Sequence, residues 1–443
     1  MVYDLAIVGA GPAGLGAACT AATYGLSTAL IERKKQLTPL TRSCSEGLLY
    51  EESYYGESVH VDRDRGCFVF SPSGFTLRYT GPVREIPYFD NVSYRGSRMH
   101  IIRDDGKPIH LVFDKARYLE ENLADAQAHG VAFFPDRTVI DWESRGDTVV
   151  IHTSRETFSA RYLIAADGHN SLCARRAGFN KEREFYGTLT AVCWHIEGPD
   201  PGEEGHVHLL EGSDDPTVFC MCPRVTPGQW SITISGFALS PNYEARYEHV
   251  TTRSVLAPLF KPQLRVIRKL ACVLNLFYPI SKPCTITMCI VGDGAWFGQT
   301  SNSHAALTGI QAVNCIAKAL GSKCSWEEAV EHYNGWWQRR FYTTWQEPGV
   351  NVFEFLTREE IDELFSCLPK AIPGSMEPGK AKRLMGTLFQ HIGTVLQEKN
   401  PHLFERILAV QQQPLERIRG EKQNRGIAVR TLMRTSELNQ EVL

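Results

Sequence analysis

Short apolar runs, not long helical stripes, open this chain. Tyr3-Asp4-Leu5-Ala6-Ile7-Val8 reads as a strand and leads through Gly9-Ala10-Gly11-Pro12-Ala13-Gly14 into an Ala-rich helix that stops at Gly25. A second strand, Ser27 to Ile31, ends at Glu32. Two later apolar runs each deliver an aspartate at the carboxyl end: Tyr162 to Ala166 before Asp167-Gly168, and Ile286 to Val291 before Gly292-Asp293. Such runs predict parallel strands, because a strand covered on both faces is apolar throughout. A helical pattern then runs from Thr308 to Leu320. Between these runs the pattern changes. Gly187–Val192, Gly205–Leu210, Thr217–Cys222 and Gln229–Phe237 read as extended and predict an antiparallel sheet.

The last third turns helical. Ser325-Trp326-Glu327-Glu328 is a capping box for a helix carrying Trp336, Trp337, Phe341, Tyr342 and Trp345. That aromatic group is read as core, with a tunnel wall or a membrane face as the other roles it could fill. Leu384, Leu388, Ile392 and Leu396 recur every fourth residue and predict another amphipathic helix. Pro348-Gly349, Pro373-Gly374 and Pro378-Gly379 mark turns, and the basic residues between Arg417 and Arg434 read as a solvated face.

Composition narrows this picture. At roughly 150 residues per domain, 443 residues make two or three domains. A net charge of -3 provides no broad basic surface, so nucleic acid is not an expected partner. No apolar run is long enough for a membrane span, and a strand pattern beginning at Val2 leaves no signal peptide. The chain is expected to be cytoplasmic, with peripheral membrane contact left open. Thirteen cysteines form no CxxC, and Cys220 and Cys222 fall on the same side of an extended segment. That spacing does not match a zinc ribbon and no histidine pair stands near it, so no metal site is predicted.

The amino-terminal unit carries the first chemistry. Strand, glycine turn, helix, strand and acid form a dinucleotide fingerprint in its required context. Gly9 serves the tight turn, Gly11 lets backbone approach a pyrophosphate, and Gly14 lets helix and strand pack closely. Glu32, eighteen residues beyond Gly14, can accept both ribose hydroxyls and disfavours a 2'-phosphate. These residues do not choose between NAD and FAD.

Taken with Asp167-Gly168 and Asp293, in this order, the unit resembles the geranylgeranyl reductase family within the FAD-dependent hydroxylase and reductase superfamily. The resemblance implies an α/β fold. A Rossmann-type three-layer FAD domain would span 1–185 and 275–330, with an antiparallel substrate domain at 186–274 and a helical region at 331–443. An insertion near 50–110 would join the substrate domain. FAD is the implied cofactor, held by Gly9, Gly11, Pro12, Ala13, Gly14, Glu32 and Arg33. Asp293 would touch the ribityl and pyrophosphate part, Asp167 and Gly168 the flavin, and Val139 the adenine through its backbone. There is no second GxGxxG, so no separate NAD(P) domain is expected; transient NAD(P)H and ferredoxin are the candidate electron donors.

Arg42-Ser43-Cys44-Ser45-Glu46-Gly47 resembles the Cys-Gly-Gly-Gly or Cys-Gly-Asp loop of that family. The resemblance places Cys44 beside the flavin ring as proton donor, with Ser45 and Gly47 touching the cofactor. It also implies a cofactor contact from Arg117, or from Lys115 if the register shifts. Where the family has a glycine-rich loop, this chain reads Gln299 to Gly309, so Ala305 and Ala306 become the candidate amide donors. His304 in that stretch is either a newcomer beside the flavin or a hydrogen-bonded loop histidine. The floor segment Val218-Phe219-Cys220-Met221-Cys222-Pro223 lacks the family's aromatic residues before the proline. The implied activity is reduction of carbon–carbon double bonds in an isoprenoid or similar apolar substrate, by hydride from flavin N5. A single-component FAD monooxygenase and a non-catalytic or electron-transfer flavoprotein are the alternatives.

Overall fold

A computed structural model describes residues 1–48, 56–181, 183–198, 202, 204–215, 217–236, 242–260, 264–296, 301–342, 355–375 and 392–411. Val2–Val8, Thr28–Ile31, Ala132–Phe134 and Thr157–Ala165 lie parallel in one sheet, and Met288–Ile290 joins Thr157–Ala165 in the same direction. Thr148–Thr153 and Val139–Arg145 extend this sheet antiparallel. Leu5, Ile7, Leu30, Leu163 and Ile164 are fully buried, as expected of strands covered on both faces.

The helix Pro12–Thr23 packs on the helix Asn302–Leu320 and on Lys115–Ala128. Close packing of the first pair depends on Gly309. A Cβ there would stand 2.0 Å from the Ala13 carbonyl oxygen, so only glycine lets the two backbones meet.

Eight strands build a second sheet, in the order Arg265–Phe277, Phe185–Glu197, Gln229–Gly236, Thr217–Pro223, His206–Leu210, Tyr88–Ser93, Arg98–Arg103 and Ala371–Gly374. Strand alternation divides its residues cleanly. Trp194, Val207, Leu209, Phe219, Met221 and Ile232 form one core, together with Val250 of the helix Tyr243–Thr252. Their neighbours, Cys193, His195, His206, His208, Cys220 and Cys222, take the opposite face. A three-stranded sheet of Gly47–Leu48, His110–Phe113 and Val83–Ile86 adjoins that face.

Several elements differ from the sequence reading. The last long helix of the nucleotide half starts at Asn302, six residues before Thr308, because Ser301 caps it and accepts the His304 N–H at 3.5 Å. Pro373-Gly374 lies in a strand paired with Arg98–Arg103, not in a turn. The Ser325 capping box is formed, with Glu328 reaching back to the Ser325 N–H at 2.8 Å. Trp337 and Phe341 are fully buried and stacked at 4.7 Å, and the Trp337 indole donates to the Ile280 carbonyl at 2.7 Å. These two aromatics are therefore core. Ile392 and Leu396 pack with Met99, Leu403 and Ile407. Trp345, Leu384, Leu388, Pro348-Gly349, Pro378-Gly379, Gln299-Thr300 and the Arg417 to Arg434 segment lie outside the described residues. Among the described residues, no helix is long and apolar enough to cross a membrane.

Candidate active site

The first strand and helix meet at a turn with no room to spare on one side and open space on the other. Gly9 has φ +101, and a Cβ on it would lie 2.4 Å from the Ala166 carbonyl oxygen. A Cβ on Gly11, the residue before Pro12, would meet nothing within 4 Å. Pro12 and Ala13 begin the helix with no side-chain cap, so its first N–H groups and its positive dipole end face that space. Glu32 is buried; its carboxylate accepts the Ala10 N–H at 2.8 Å and the Lys34 N–H at 2.9 Å. A carboxylate so held keeps lone pairs for two hydroxyls. Arg33 beside it is exposed. The Arg137 N–H bonds the Glu32 carbonyl at 2.9 Å, which brings the segment opening at Val139 to the same edge.

At the end of Thr157–Ala165, Asp167 accepts the Cys173 N–H at 3.1 Å, while its Oδ1 is buried without a partner. Burial pushes this carboxyl group's pKa up. Gly168 follows at φ +82, and a Cβ on it would lie 3.7 Å from the Arg42 guanidinium. Asp293 sits in the Gly292–Gly294 turn, which the Thr308 hydroxyl anchors by accepting the Gly292 N–H at 2.9 Å. An open helix start, a fixed acid for a ribose and a buried acceptor awaiting a donor together fit a dinucleotide flavin.

Cys44 is half-buried and ringed by donors. Its sulfur accepts the Glu46 N–H at 3.3 Å and stands 3.5 Å from Lys115 Nζ and 3.9 Å from Asn302 Nδ2. Cys193 and Cys272 of the eight-stranded sheet lie near enough to interact with it electrostatically. Ser45 is exposed, and the Gly47 carbonyl accepts from Asn302 at 2.8 Å.

Two sequence expectations need correction. Arg117 does not turn inward. It is exposed and bonded to Glu121 at 2.8 Å and Thr80 at 2.6 Å, while Lys115, two residues earlier, reaches the Cys44 loop. Two residues apart on a helix is roughly 200° of rotation, so only one of them can face the site. Ala305 and Ala306 are buried inside the helix, and the Ala305 N–H bonds the Ser301 carbonyl at 2.9 Å. His304 is buried there, its Nδ1 3.0 Å from the Ser301 hydroxyl and its ring edge-on to Phe341.

Sequence reasoning missed a buried ion pair behind the Cys44 loop. Glu46 has φ +56 and is 3% exposed; its carboxylate lies 3.1 Å from Arg224, whose other nitrogen meets His195 Nε2 at 2.9 Å. Burial raises the Glu46 pKa against the opposing pull of Arg224, and burial with Arg224 lowers His195 to about 4. Glu46, at the loop position that is glycine or aspartate in the resembling family, was the available signal. Its partner, 178 residues away, was not legible. A second convergence was also missed: His110, His206 and Cys222 meet on the same face, walled by Phe89.

The family model for pyridine nucleotide-disulphide oxidoreductases matches residues 3–192. A digeranylgeranylglycerophospholipid reductase of Methanosarcina acetivorans is 37% identical over 207 residues, 45% of this chain and 46% of that protein. Another of that name from Methanococcoides burtonii is 22% identical over 76% of this chain and 80% of its own length. For the M. acetivorans protein and two others of that name, the match spans about half of the relative's length. The crystal structure of a geranylgeranyl bacteriochlorophyll reductase-like protein from Thermoplasma acidophilum superposes with TM-score 0.66 at 17% identity, covering 92% of this chain and 99% of that one. With the fingerprint and the two aspartate strand ends in place, the chain is similar over residues 3–192 to the pyridine nucleotide-disulphide oxidoreductases, and over about half its length to reductases of the geranylgeranyl type, whose fold it shares.

Proposed function

We propose that the chain reduces carbon–carbon double bonds of an isoprenoid or similarly apolar molecule, with Cys44 as proton donor. The observation that carries this reading is the half-buried Cys44 sulfur, held by Lys115, Asn302 and the Glu46 amide beside the sulfur-rich face of the second sheet. The names of the curated relatives support an isoprenoid lipid as the substrate class. FAD, when bound and reduced by a donor such as NAD(P)H or ferredoxin, would supply the hydride. The chain's own residues hold and orient it: the helix start at Gly11 and Pro12 takes the pyrophosphate, and Glu32 takes the ribose. Cys193 and Cys220 offer soft, weakly hydrated side chains against which an apolar chain can lie while water is kept out. The Cys44 proton passes to one alkene carbon, and Lys115 faces the charge left on sulfur.

The test uses the full chain loaded with FAD, reduced anaerobically and mixed with a geranylgeranyl-bearing lipid. Return of the oxidised flavin absorbance without oxygen, with a saturated product, supports the reading. Return only when oxygen is admitted, with a hydroxylated product, replaces it with a monooxygenase. A protein that takes up no FAD overturns both.

A further inference from the structure

We propose that His110, His206 and Cys222 form a zinc-binding site that clips the three-stranded sheet to the substrate floor. The three ligating atoms all lie within 4.8 Å of one another, and Cys222 Sγ is 3.9 Å from His110 Nε2. Topology explains the convergence. Val207 pairs with Met221, so the next step along both strands sets His206 beside Cys222 on the face turned from the Trp194 core. His110 arrives from the strand His110–Phe113, which pairs with Gly47–Leu48. No local spacing betrays such a set, because its members are 96 and 16 residues apart.

The hydrogen-bonding inventory points to a ligand. Both ring nitrogens of His206 and Nδ1 of His110 are buried without a partner. An imidazole ring offers one donor and one acceptor, and leaving either unmet in the interior is costly. Packing alone does not account for placing two such rings against a buried thiol. Phe89 stacks on His110 at 5.4 Å, and Ile86, Ile109 and Val112 complete an apolar shell. His208, 4.7 Å from His206 ring to ring and within 3.4 Å of Asn91, stands as an outer neighbour.

Two imidazoles and one thiolate are a borderline-soft set that suits Zn²⁺, with a fourth position for water. Binding releases the Cys222 thiol proton and involves no change of oxidation state. The His110 ring also borders Gly47, 3.5 Å from where a Cβ would stand. The ion would therefore fix the strand behind the Cys44 loop. This proposal is independent of the reaction assigned above.

The test titrates Zn²⁺ into the chelator-treated, FAD-loaded full chain and measures bound metal after desalting. One equivalent is expected. Cys222→Ser and His206→Gln should each weaken it more than about 100-fold, since even loss of outer-sphere partners costs 10–100-fold. Cys220→Ser, its neighbour on the same face, should retain the metal, and FAD content reports folding for every variant. Co²⁺ in the unmodified chain should give a thiolate charge-transfer band, a readout that needs no variant. No stoichiometric zinc, zinc retained by Cys222→Ser, or cobalt bound without that band would overturn the site.

Discussion

Lys115 Nζ stands 3.5 Å from Cys44 Sγ, and the placement follows from a cap. Asp114 accepts the Arg117 N–H at 3.0 Å, so the helix starts at Lys115 and turns that side chain toward the loop. If the sulfur donates the proton, removing it should cost turnover without costing cofactor. Cys44→Ala is expected to slow alkene reduction by about 100-fold, within the range of general acids, at unchanged FAD content. Lys115→Met should give a smaller loss and a slower reaction of Cys44 with a thiol alkylating agent. Turnover untouched by Cys44→Ala removes the residue from the mechanism.

Gly11 and Gly309 separate cofactor space from packing space. A methyl on Gly11 meets no protein atom within 4 Å, so Gly11→Ala should melt like the parent without FAD. It should nevertheless bind FAD at least about tenfold more weakly, a loss of about 1.4 kcal/mol. A methyl on Gly309 collides with the Ala13 backbone at 2.0 Å, so Gly309→Ala should cost about 1–3 kcal/mol of stability whether or not FAD is present. Melting curves with and without saturating FAD read both effects. Equal behaviour of the two variants would show that the space before Gly11 is not where the pyrophosphate lies.

The contrast shows which parts of the site were legible in the sequence. Gly14 and Glu32 could be read because they meet Gly9 and Ala10 within one strand–helix–strand unit, and Gly9 because the turn itself demands it, although the backbone it meets is that of Ala166. The strand ends at Asp167 and Asp293 could be read because parallel strands are apolar on both faces. The sequence does not separate Arg117 from Lys115, because a helix pattern establishes a face only to within a residue or two; the Asp114 cap decides the register. The resemblance puts a loop over Ser301 to Leu307, whereas Ser301 before an Ala-rich run is the local signal for the cap that forms. The Glu46–Arg224 pair and the His110, His206 and Cys222 group join distant strands, and no local rule brings them together.

His169 ties the Arg42 loop to the substrate sheet and carries a pH dependence. Its Nε2–H donates to the Val273 carbonyl at 2.8 Å, which leaves Nδ1 to accept from Arg42 at 2.6 Å. Burial first, then Arg42, lowers its pKa from 6.5 to about 4. As pH falls below 6.5 the unfolded chain takes up the proton before the fold can. The stabilisation is therefore complete above pH 6.5 and is lost as pH falls through about 4, up to about 3 kcal/mol. His169→Gln, which keeps a donor and an acceptor, should lose less melting temperature than the parent between pH 7 and pH 5. Identical losses would mean that His169 is not the group responsible.

The Glu46–Arg224 pair closes the back of the Cys44 loop, and its energetics can be separated by three variants. Arg224→Met leaves a carboxylate 3% exposed without its paired cation, which should cost about 3 kcal/mol or more. Glu46→Gly relieves the φ of +56, worth about 1–2 kcal/mol, and leaves Arg224 its contact with His195, so its net cost should be smaller. Combining the two removes both charges and the strain, so the double variant should be more stable than Arg224→Met alone. Urea unfolding of the four proteins gives the coupling energy, because residues in contact depart from additivity while independent ones do not. Costs that simply add would mean that the pair is not coupled, and that the loop is held by the Phe113 N–H to the Glu46 carbonyl at 3.1 Å and the strand pairing at Gly47.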